Sequence, residues 1–256
     1  MDRRDKKPAE AALPEGMIEG RNAVLEAIRS GRTIDKVYLA SGDTDKALAR
    51  LAAMAKDAGA VVVQTDRRKL DELSPNGAHQ GVIASVAAHA YATVDALLAR
   101  AEQRGEAPLL VVCDELSDPH NLGAILRTAE CAGAHGLIIP KRRSVGLTAT
   151  VAKTSAGAVE YLPVARVSNV AQTLEELKKR GVWVYGTAAD GASPLYETDL
   201  RGPCAIVIGN EGTGMSRLVR ERCDVLVSIP LRGRISSLNA SAAAAVLLYE
   251  ALRQRS

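Results

Sequence analysis

Aromatic residues are scarce in this sequence of 256 residues, and phenylalanine is absent from it. Aromatics make up only 3% of the chain, whereas proteins that hold single-stranded nucleic acid commonly stack its bases on exposed rings. A nucleic acid bound by this chain is therefore expected to be recognised by its shape and backbone. The formal net charge of +3 permits contact with a polyanion but does not require one, so any basic surface should be local.

Cysteine and histidine are too few and too scattered to suggest a metal site. The cysteines form neither a C-x-x-C pair nor a cluster with histidine, and they are Cys113, Cys131, Cys204 and Cys223. We predict reduced, buried thiols and no bound metal. His120 lies in a loop and can titrate near neutrality, although a surface or capping role is more common for such a histidine.

Long apolar runs are missing as well. No stretch approaches the roughly 20 apolar residues that a membrane-spanning helix requires. The segment from Met1 to Glu15 is polar and charged, unlike the apolar core of a secretory signal. We therefore expect a cytoplasmic protein that does not bind a membrane.

Several catalytic signatures are also absent. The chain has no G-x-S-x-G nucleophile elbow and no H-E-x-x-H zinc motif. A dinucleotide-binding oxidoreductase would carry a glycine fingerprint after the first strand of an α/β unit. The segment that follows the predicted strand ending at Asp114 reads Glu115-Leu116-Ser117-Asp118, and it contains no glycine.

The chain does contain enough apolar sequence, 47%, for a sizeable core, and its length favours two unequal domains. We predict a flexible basic tail over residues 1–16, a small α/β domain over 17–90, a linker over 91–107 that holds one polar helix over 94–104, and a second α/β domain over 108–256. In the small domain we predict helices over 22–28, 46–58 and 67–73 and strands over 36–39, 61–63 and 82–86.

The second domain has the pattern of a parallel sheet that is covered on both faces. Continuous apolar runs predict strands over 109–114, 136–139, 182–186, 205–209 and 224–229, with helices between them. In such sheets, ligands bind beyond the carboxyl ends of the strands. Three of the loops that follow these strands carry unusual polar residues, and we expect function to concentrate there.

The first two of these loops differ in what they are suited to bind. In the first, Asp118 or Asn121 can cap the following helix, but Arg127 lies on that helix beside an apolar face and needs water or an anionic partner. Spacing alone leaves a structural and a functional role for Arg127 equally open. The second loop, residues 209–216, is rich in glycine, yet Glu211 would repel a phosphate, so a neutral or cationic ligand suits it better.

The third loop, residues 229–241, leads into an alanine-rich last helix. Ser237 or Asn239 can cap that helix. Capping leaves Arg232 and Arg234 unexplained, and two arginines on a glycine-containing loop suit contacts with phosphate or ribose. The residues alone therefore predict an α/β enzyme or binding protein with three converging polar loops.

These three loops resemble the signature motifs of the SpoU-type (TrmH-type) RNA methyltransferases. Residues 118–129 resemble the first motif and residues 208–212 the second, while Ile229-Pro230 and residues 237–241 together resemble the third. Three matches in the same order make the resemblance specific.

The resemblance extends into the small domain. There, residues 20–24 and 79–82 are similar to the RlmB-type branch, which methylates a guanosine of 23S ribosomal RNA. This implies a ribosomal-protein-like domain that binds RNA, followed by a SPOUT-type parallel sheet with a trefoil knot, a rare exception to the rule against threaded chains. It also implies a homodimer, although core packing explains the apolar residues 242–252 as well as an interface does.

The resemblance further implies that S-adenosylmethionine is the cofactor and that a ribose 2'-hydroxyl of large-subunit ribosomal RNA is the methyl acceptor. The residues that it assigns to the cofactor are Thr187, Gly209, Ile229 and Leu238. The residues that it assigns to catalysis are Arg127, Asn121, Glu211, Ser237 and Asn239. The candidate phosphate contacts, for which solvated surface charge is the alternative explanation, are Arg142, Arg143, Arg232 and Arg234.

The resemblance assigns the proton-accepting role to Arg127. A guanidinium is essentially always protonated in proteins and offers no acceptor atom. We therefore expect Arg127 to bind phosphate and to stabilise the developing alkoxide, while phosphate or water helps to remove the proton.

Two further substrates and one non-catalytic role stay open. The substrate can instead be a transfer RNA, or the ribosomal RNA site of a peptide-antibiotic-resistance methyltransferase, since the resistance enzymes also carry such an N-terminal domain. The third alternative is a non-catalytic RNA-binding assembly factor. The presence of Asn121, Arg127 and Glu211 argues against that alternative.

Overall fold

The computed structural model of the protein describes residues 13–42, 45–74 and 77–256. The chain forms two compact units, and the boundary between them falls between Ala88 and His89. Residues 1–12 of the predicted basic tail lie outside the described residues. Within the described part of the chain, no helix is both long enough and apolar enough to cross a membrane.

The first unit, as far as its residues are described, has a four-stranded mixed sheet and three helices. Its elements are β1 (Met17–Glu19), α1 (Arg21–Arg29), β2 (Ile34–Ala40), α2 (Lys46–Asp57), β3 (Val61–Thr65), α3 (Arg67–Leu73) and β4 (Val82–Val86). The strand order is β1-β4-β2-β3, with β2 and β3 parallel and the other pairs antiparallel. Every helix and strand predicted for this unit is present, and only the three-residue strand β1 was missed.

Helix α2 shows how the sequence sets a local structure in this unit. Asp45 precedes the helix and caps it by accepting a hydrogen bond of 2.8 Å from the Ala47 amide. Leu48, Leu51 and Ala55 recur at helical spacing and are buried in the core of the unit. The apolar face that the sequence predicts is therefore the face that packs.

The second unit contains the larger sheet. Its elements are α4 (Val94–Arg104), β5 (Leu109–Cys113), α5 (Pro119–Cys131), β6 (Gly136–Pro140), α6 (Ala149–Thr154), β7 (Val164–Val167), α7 (Val170–Lys179), β8 (Trp183–Thr187), β9 (Ser193–Pro194), β10 (Cys204–Ile208), α8 (Arg217–Arg222), β11 (Val225–Ser228) and α9 (Ala240–Arg255). The strands run parallel in the order β7-β6-β5-β10-β8-β11-β9. The predicted α/β fold with a parallel sheet is confirmed.

Both faces of the larger sheet are covered, as its apolar strands require. In β5, Leu109, Val111 and Cys113 join a buried cluster with residues of α5 and α9. The alternate residues Leu110 and Val112 join a second cluster with residues of α4, α7 and α8. All five predicted strands are present, whereas β7 and β9 were missed because neither is a continuous apolar run: β7 contains Arg166, and β9 consists of Ser193 and Pro194.

Helix α4 lies in the interval 91–107, for which we predicted a linker. Just before the helix, Ala92 forms a parallel bridge with Ala165 of β7, and Leu97 within the helix is fully buried. A Cβ on Gly136 of β6 would lie 2.5 Å from Leu97 Cδ2, so the helix and the strand approach as closely as a glycine allows. In the structure, this interval is a packed part of the second unit.

The order of the strands reverses beside β5. From β5 the chain continues to β6 and β7 on one side, whereas β10 and β8 lie on the other side. The carboxyl ends of β5 and β10 therefore flank a topological switch point, which is where open α/β sheets form their ligand crevices. The trefoil knot implied by the resemblance stays a prediction.

Candidate active site

The loop after β10, residues 209–216, is a compact turn built on Asn210. Asn210 and Gly214 exchange two backbone hydrogen bonds of 3.0 and 2.8 Å, and the Asn210 side chain accepts a third, of 2.9 Å, from the Gly212 amide. A Cβ on Gly209 would lie 2.4 Å from the Gly214 carbonyl carbon, so the turn requires a glycine at that position. The glycines of this loop thus serve its packing, and the loop presents Glu211.

Two side chains join this loop to the end of β5. Asp114 is 3% exposed and accepts a hydrogen bond of 2.7 Å from the Ser216 amide. Asn210 Nδ2 donates to the carbonyl oxygen of Glu115 at 3.1 Å. Neither Asp114 nor Asn210 was predicted as a site residue from the sequence. A carboxylate directly after an apolar strand and an N-x-G turn are the signals that would have found them.

A cluster of three side chains, Asn121, Glu211 and Asn239, brings the three predicted loops together. Asn121 Nδ2 donates to Glu211 Oε1 at 2.7 Å, and Asn239 Nδ2 donates both to Asn121 Oδ1, at 3.0 Å, and to Glu211 Oε1. The Ala240 amide, in the first turn of α9, also donates to Glu211 Oε1, at 3.3 Å. One carboxylate therefore holds two side-chain amides in fixed positions.

Asn239 has a second role at the start of α9. Its Oδ1 accepts hydrogen bonds from the Ser241 and Ala242 amides, at 3.0 and 3.2 Å. The residue is thus the N-cap that one explanation of the third loop predicted. It is also part of the three-residue cluster, so the two explanations do not exclude each other.

Arg127 and Ser237 lie apart from the hydrogen bonds of this cluster. Both are exposed. Among the described residues, Arg127 has no hydrogen-bond or ion-pair partner, although it lies on the same helix, α5, as Asn121. Ser237 lines the cleft described next. Arg127 is therefore available to an anionic ligand.

A cleft of about 440 Å³ opens beyond the carboxyl ends of β8, β10 and β11. The four residues predicted to hold a cofactor, Thr187, Gly209, Ile229 and Leu238, all line it. Most of its other lining residues are small or apolar.

The charges on the lining of the cleft are few. They are the carboxylates of Asp190 and Glu211 and the guanidinium of Arg220. Arg220 donates to Asp190 through Nη1 and Nη2 in a two-pronged ion pair, with both distances 3.0 Å. These hydrogen bonds lower the pKa of Asp190. This ion pair was not predicted from the sequence.

The four arginines predicted to contact phosphates are all exposed. Arg143 donates to Glu115 Oε1 at 3.1 Å, so its charge is already compensated in part. Over the described parts of the chain, Arg142, Arg232 and Arg234 form no ion pair. The structure does not bring these residues into the cleft, and they lie on two different loops.

The cysteines fit the prediction only in part. Cys113 and Cys204 are buried, and burial raises the pKa of the Cys204 thiol to about 11. Cys131, at the end of α5, is exposed, so the expectation of buried thiols was wrong for that residue. Over the described residues, no group of three or more His, Cys, Asp or Glu side chains is placed to hold a metal ion.

Two protein-family models match the chain. The model described as the SpoU rRNA Methylase family matches residues 108–249, a range that includes all three loops of the site. The model described as RNA 2'-O ribose methyltransferase substrate binding matches residues 17–92.

Individual proteins agree with these matches. YacO of Bacillus subtilis, whose name refers to TrmH family tRNA/rRNA methyltransferases, is 50% identical over 236 residues, which are 92% of this chain and 94% of YacO. The SpoU methyltransferase AviRb from Streptomyces viridochromogenes, solved in complex with AdoMet, aligns with a TM-score of 0.60 and 27% identity over 93% of this chain and 90% of AviRb. An AdoMet-bound rRNA methyltransferase from Sinorhizobium meliloti aligns with a TM-score of 0.57 and 26% identity, covering 93% of this chain and 86% of that one.

Proposed function

This chain belongs to the SpoU rRNA Methylase family and is an S-adenosylmethionine-dependent RNA methyltransferase, and from this premise we propose that it methylates the ribose 2'-hydroxyl of a guanosine in 23S ribosomal RNA. The observation that carries the methyl-transfer chemistry is the cluster of Asn121, Glu211 and Asn239, in which Glu211 also lines the cleft. The choice of a 23S guanosine rests on the resemblance of residues 20–24 and 79–82 to the RlmB-type branch. Arg127 completes the set of residues to which we assign the reaction. It is exposed and has no partner among the described residues.

The cleft suits S-adenosylmethionine in size and chemistry. A volume of about 440 Å³ is ordinary for a ligand of this kind. On our proposal, backbone groups around Gly209, Ile229 and Leu238, with Thr187 on the neighbouring loop, hold the cofactor. The carboxylate of Glu211 suits a cationic sulfonium better than it suits a phosphate. When bound, the cofactor supplies the activated methyl group.

Methyl transfer requires the 2'-oxygen to be held in line with the methyl carbon and to lose its proton. We assign the positioning to the Asn121 and Asn239 amides, which Glu211 holds in place, and to the exposed Ser237 hydroxyl. Arg127 donates hydrogen bonds to the phosphate and to the developing alkoxide. The proton passes to a phosphate oxygen or to water, because a guanidinium has no acceptor atom.

We assign recognition of the RNA to both units. The first unit matches a substrate-binding model, and the exposed Arg142, Arg143, Arg232 and Arg234 of the second unit supply phosphate contacts. We also propose a cytoplasmic homodimer. Helix α9 supports an interface because Tyr249 on it is 52% exposed, and a large exposed aromatic side chain is typical of contact surfaces.

The decisive experiment supplies the purified protein with radiolabelled S-adenosylmethionine and unmodified 23S ribosomal RNA. The expected result is label at one guanosine whose 3' linkage resists alkaline cleavage, because a methylated 2'-oxygen cannot attack the adjacent phosphate. DNA of the same sequence should take up no label, since it lacks the 2'-hydroxyl.

Transfer RNA is the second candidate substrate, because the name of YacO includes both tRNA and rRNA. It is offered to the enzyme in parallel. Label on transfer RNA alone would replace our substrate assignment. Label on the ribosomal RNA at a nucleotide other than guanosine would contradict the proposal and favour the resistance-type target. A protein that binds the cofactor but labels neither RNA would contradict it and favour a non-catalytic role.

A further inference from the structure

We propose that Arg220 and Asp190 form the subsite for the amino-acid end of S-adenosylmethionine, with Arg220 binding its carboxylate and Asp190 its ammonium group. The inference rests on the cofactor cleft of the proposed function, and it does not depend on which RNA is methylated. Neither residue was identified from the sequence motifs.

The charges on the lining of the cleft mirror those of the cofactor. S-adenosylmethionine carries two cationic groups, the sulfonium and the ammonium, and one anionic group, the carboxylate. The lining carries two carboxylates, Asp190 and Glu211, and one guanidinium, Arg220. Buried or partly buried charges are stabilised when they are paired. The single anion of the cofactor therefore has one cation of the lining to bind.

The two carboxylates differ in how they are already used. Glu211 Oε1 accepts hydrogen bonds from Asn121, Asn239 and the Ala240 amide, which ties it to the residues placed around the ribose. Asp190 is hydrogen-bonded to Arg220 instead. This difference assigns Glu211 to the methyl-transfer part of the cofactor and Asp190 to the amino-acid part.

The Arg220–Asp190 pair retains unused hydrogen-bond donors and acceptors that can bind a zwitterionic ligand. A guanidinium has five N–H donors, and the pair engages one on Nη1 and one on Nη2. The remaining donors can bind a second carboxylate through two parallel hydrogen bonds, which is the geometry that arginine favours. The Asp190 side chain is 75% exposed, so its carboxylate can still accept hydrogen bonds from an ammonium group.

The backbone holds both residues in place before any ligand binds. Beside Asp190, a Cβ on Gly191 would lie 2.8 Å from the Leu226 carbonyl oxygen, so this loop is packed directly on β11. On the other side, Val219, next to Arg220, is 3% exposed and anchors α8 in the core. The backbone of both residues is thus fixed before binding and the ion pair holds their side chains together, which lowers the conformational cost of binding a ligand.

The test measures ligand binding by calorimetry in the absence of RNA. Two probes are compared: S-adenosylhomocysteine, and the same thioether without its carboxylate. The wild-type protein should bind the first probe roughly 10- to 100-fold more tightly than the second, as expected for one charge-assisted contact. In Arg220→Ala, the affinities for the two probes should differ by no more than about threefold. A preference of that size is worth well under one hydrogen bond to a charged group.

The matched control is Arg217→Ala on the same helix. Arg217 pairs with Glu221 at 2.6 Å and does not line the cleft, so this variant should keep the wild-type ratio. Arg220→Lys, which keeps the charge but not the fork, should give an intermediate ratio, and it provides a readout if Arg220→Ala does not fold.

Two outcomes would overturn the assignment: no preference for the carboxylate in the wild-type protein, or an equal loss of affinity for both probes in the Arg220 variants. The second outcome would mean that the ion pair only shapes the wall of the cleft. A protein that shows the predicted ratios but transfers no methyl group would contradict the proposed function and leave this subsite standing.

Discussion

Within the described part of the chain, Arg127 has neither a hydrogen-bond nor an ion-pair partner, whereas many other arginines do. Arg21, Arg201 and Arg253, for example, each form an ion pair with a nearby carboxylate. An exposed guanidinium without a partner does not stabilise the helix that carries it. The guanidinium donors of Arg127 are therefore free to bind a charged substrate.

We predict that Arg127→Ala reduces methyl transfer by at least about 100-fold, because it removes a donor to the developing negative charge. The affinity for S-adenosylhomocysteine, measured by calorimetry, should stay close to that of the wild-type protein, since Arg127 does not line the cofactor cleft. Arg127→Lys tests whether charge alone suffices. Wild-type turnover in Arg127→Ala would remove this residue from the chemistry.

His135 is a second residue whose environment has a measurable consequence. It is 1% exposed, its Nδ1 accepts a hydrogen bond of 3.0 Å from the Leu109 amide, and its Nε2 lies 2.9 Å from Glu106 Oε2. An Nδ1 that accepts must be unprotonated, so the ring is neutral. Burial is the main reason why the pKa of His135 lies below its ordinary value of 6.5.

Because the folded-state pKa is lowered, the unfolded chain binds a proton at a higher pH than the folded protein does. The free energy of unfolding should therefore fall as the pH drops below about 6.5, the ordinary histidine value, and through the lower folded-state pKa. His135→Gln should lose this part of the acid sensitivity. Urea unfolding at several pH values between 7.5 and 5.0 measures it, and the same pH dependence in both proteins would refute the prediction.

At the scale of elements, the close packing of α4 against β6 is the least expected contact. Gly136 meets Leu97 so closely that a Cβ would lie within 2.8 Å of three carbon atoms of the leucine. Since Leu97 is fully buried, its side chain has little room to move away. The helix in the predicted linker should therefore contribute to the stability of the second unit.

We predict that Gly136→Ala destabilises the protein by about 1–3 kcal/mol through overpacking, and that Leu97→Ala costs about 2–5 kcal/mol through a cavity. The double variant should lose less free energy of unfolding than the two single variants lose together. The shorter side chain at position 97 leaves room for the added Cβ, and the added Cβ fills part of the cavity. Urea unfolding supplies the four free energies. Gly202→Ala, where an added Cβ meets nothing within 4 Å, is the control and should be additive with Leu97→Ala.

The helices and strands were predictable to the extent that their signals are local. Apolar runs located five strands of the larger sheet, and helical spacing located α2 and α4. The order of the strands was not predictable from those runs, since it depends on pairings between residues far apart in the chain. The ion pair of Asp190 and Arg220 was not predicted for the same reason. It joins residues 30 positions apart, and neither lies in a recognised motif.

At the scale of the whole molecule, the arrangement of charge matters more than the small net charge of +3. Many exposed arginines are already paired with carboxylates. Arg142, Arg232 and Arg234 are exposed and, within the described residues, form no ion pair. These three are therefore among the side chains expected to release counterions when RNA binds.

We predict that replacing these three arginines by alanine makes RNA binding less sensitive to salt. Each lost phosphate contact should reduce the slope of log affinity against log salt by roughly 0.7 to 0.9, so the triple variant should lose roughly 2 to 3. Filter binding at several salt concentrations measures the slope. The control variant removes Arg29, Arg201 and Arg217, which are exposed but paired, and its slope should not change. An equal effect of both variants would assign the slope to net charge alone.

The position of β10 has a consequence for the order of events during synthesis. This strand lies between β5 and β8, and the chain makes both of those strands before it makes β10. The cluster around Glu211 also needs Asn239, which is made later still. A growing chain that has completed β8 but not β10 therefore lacks the strand that joins β8 to β5, and it can form the cluster around Glu211 only after Asn239 has been made.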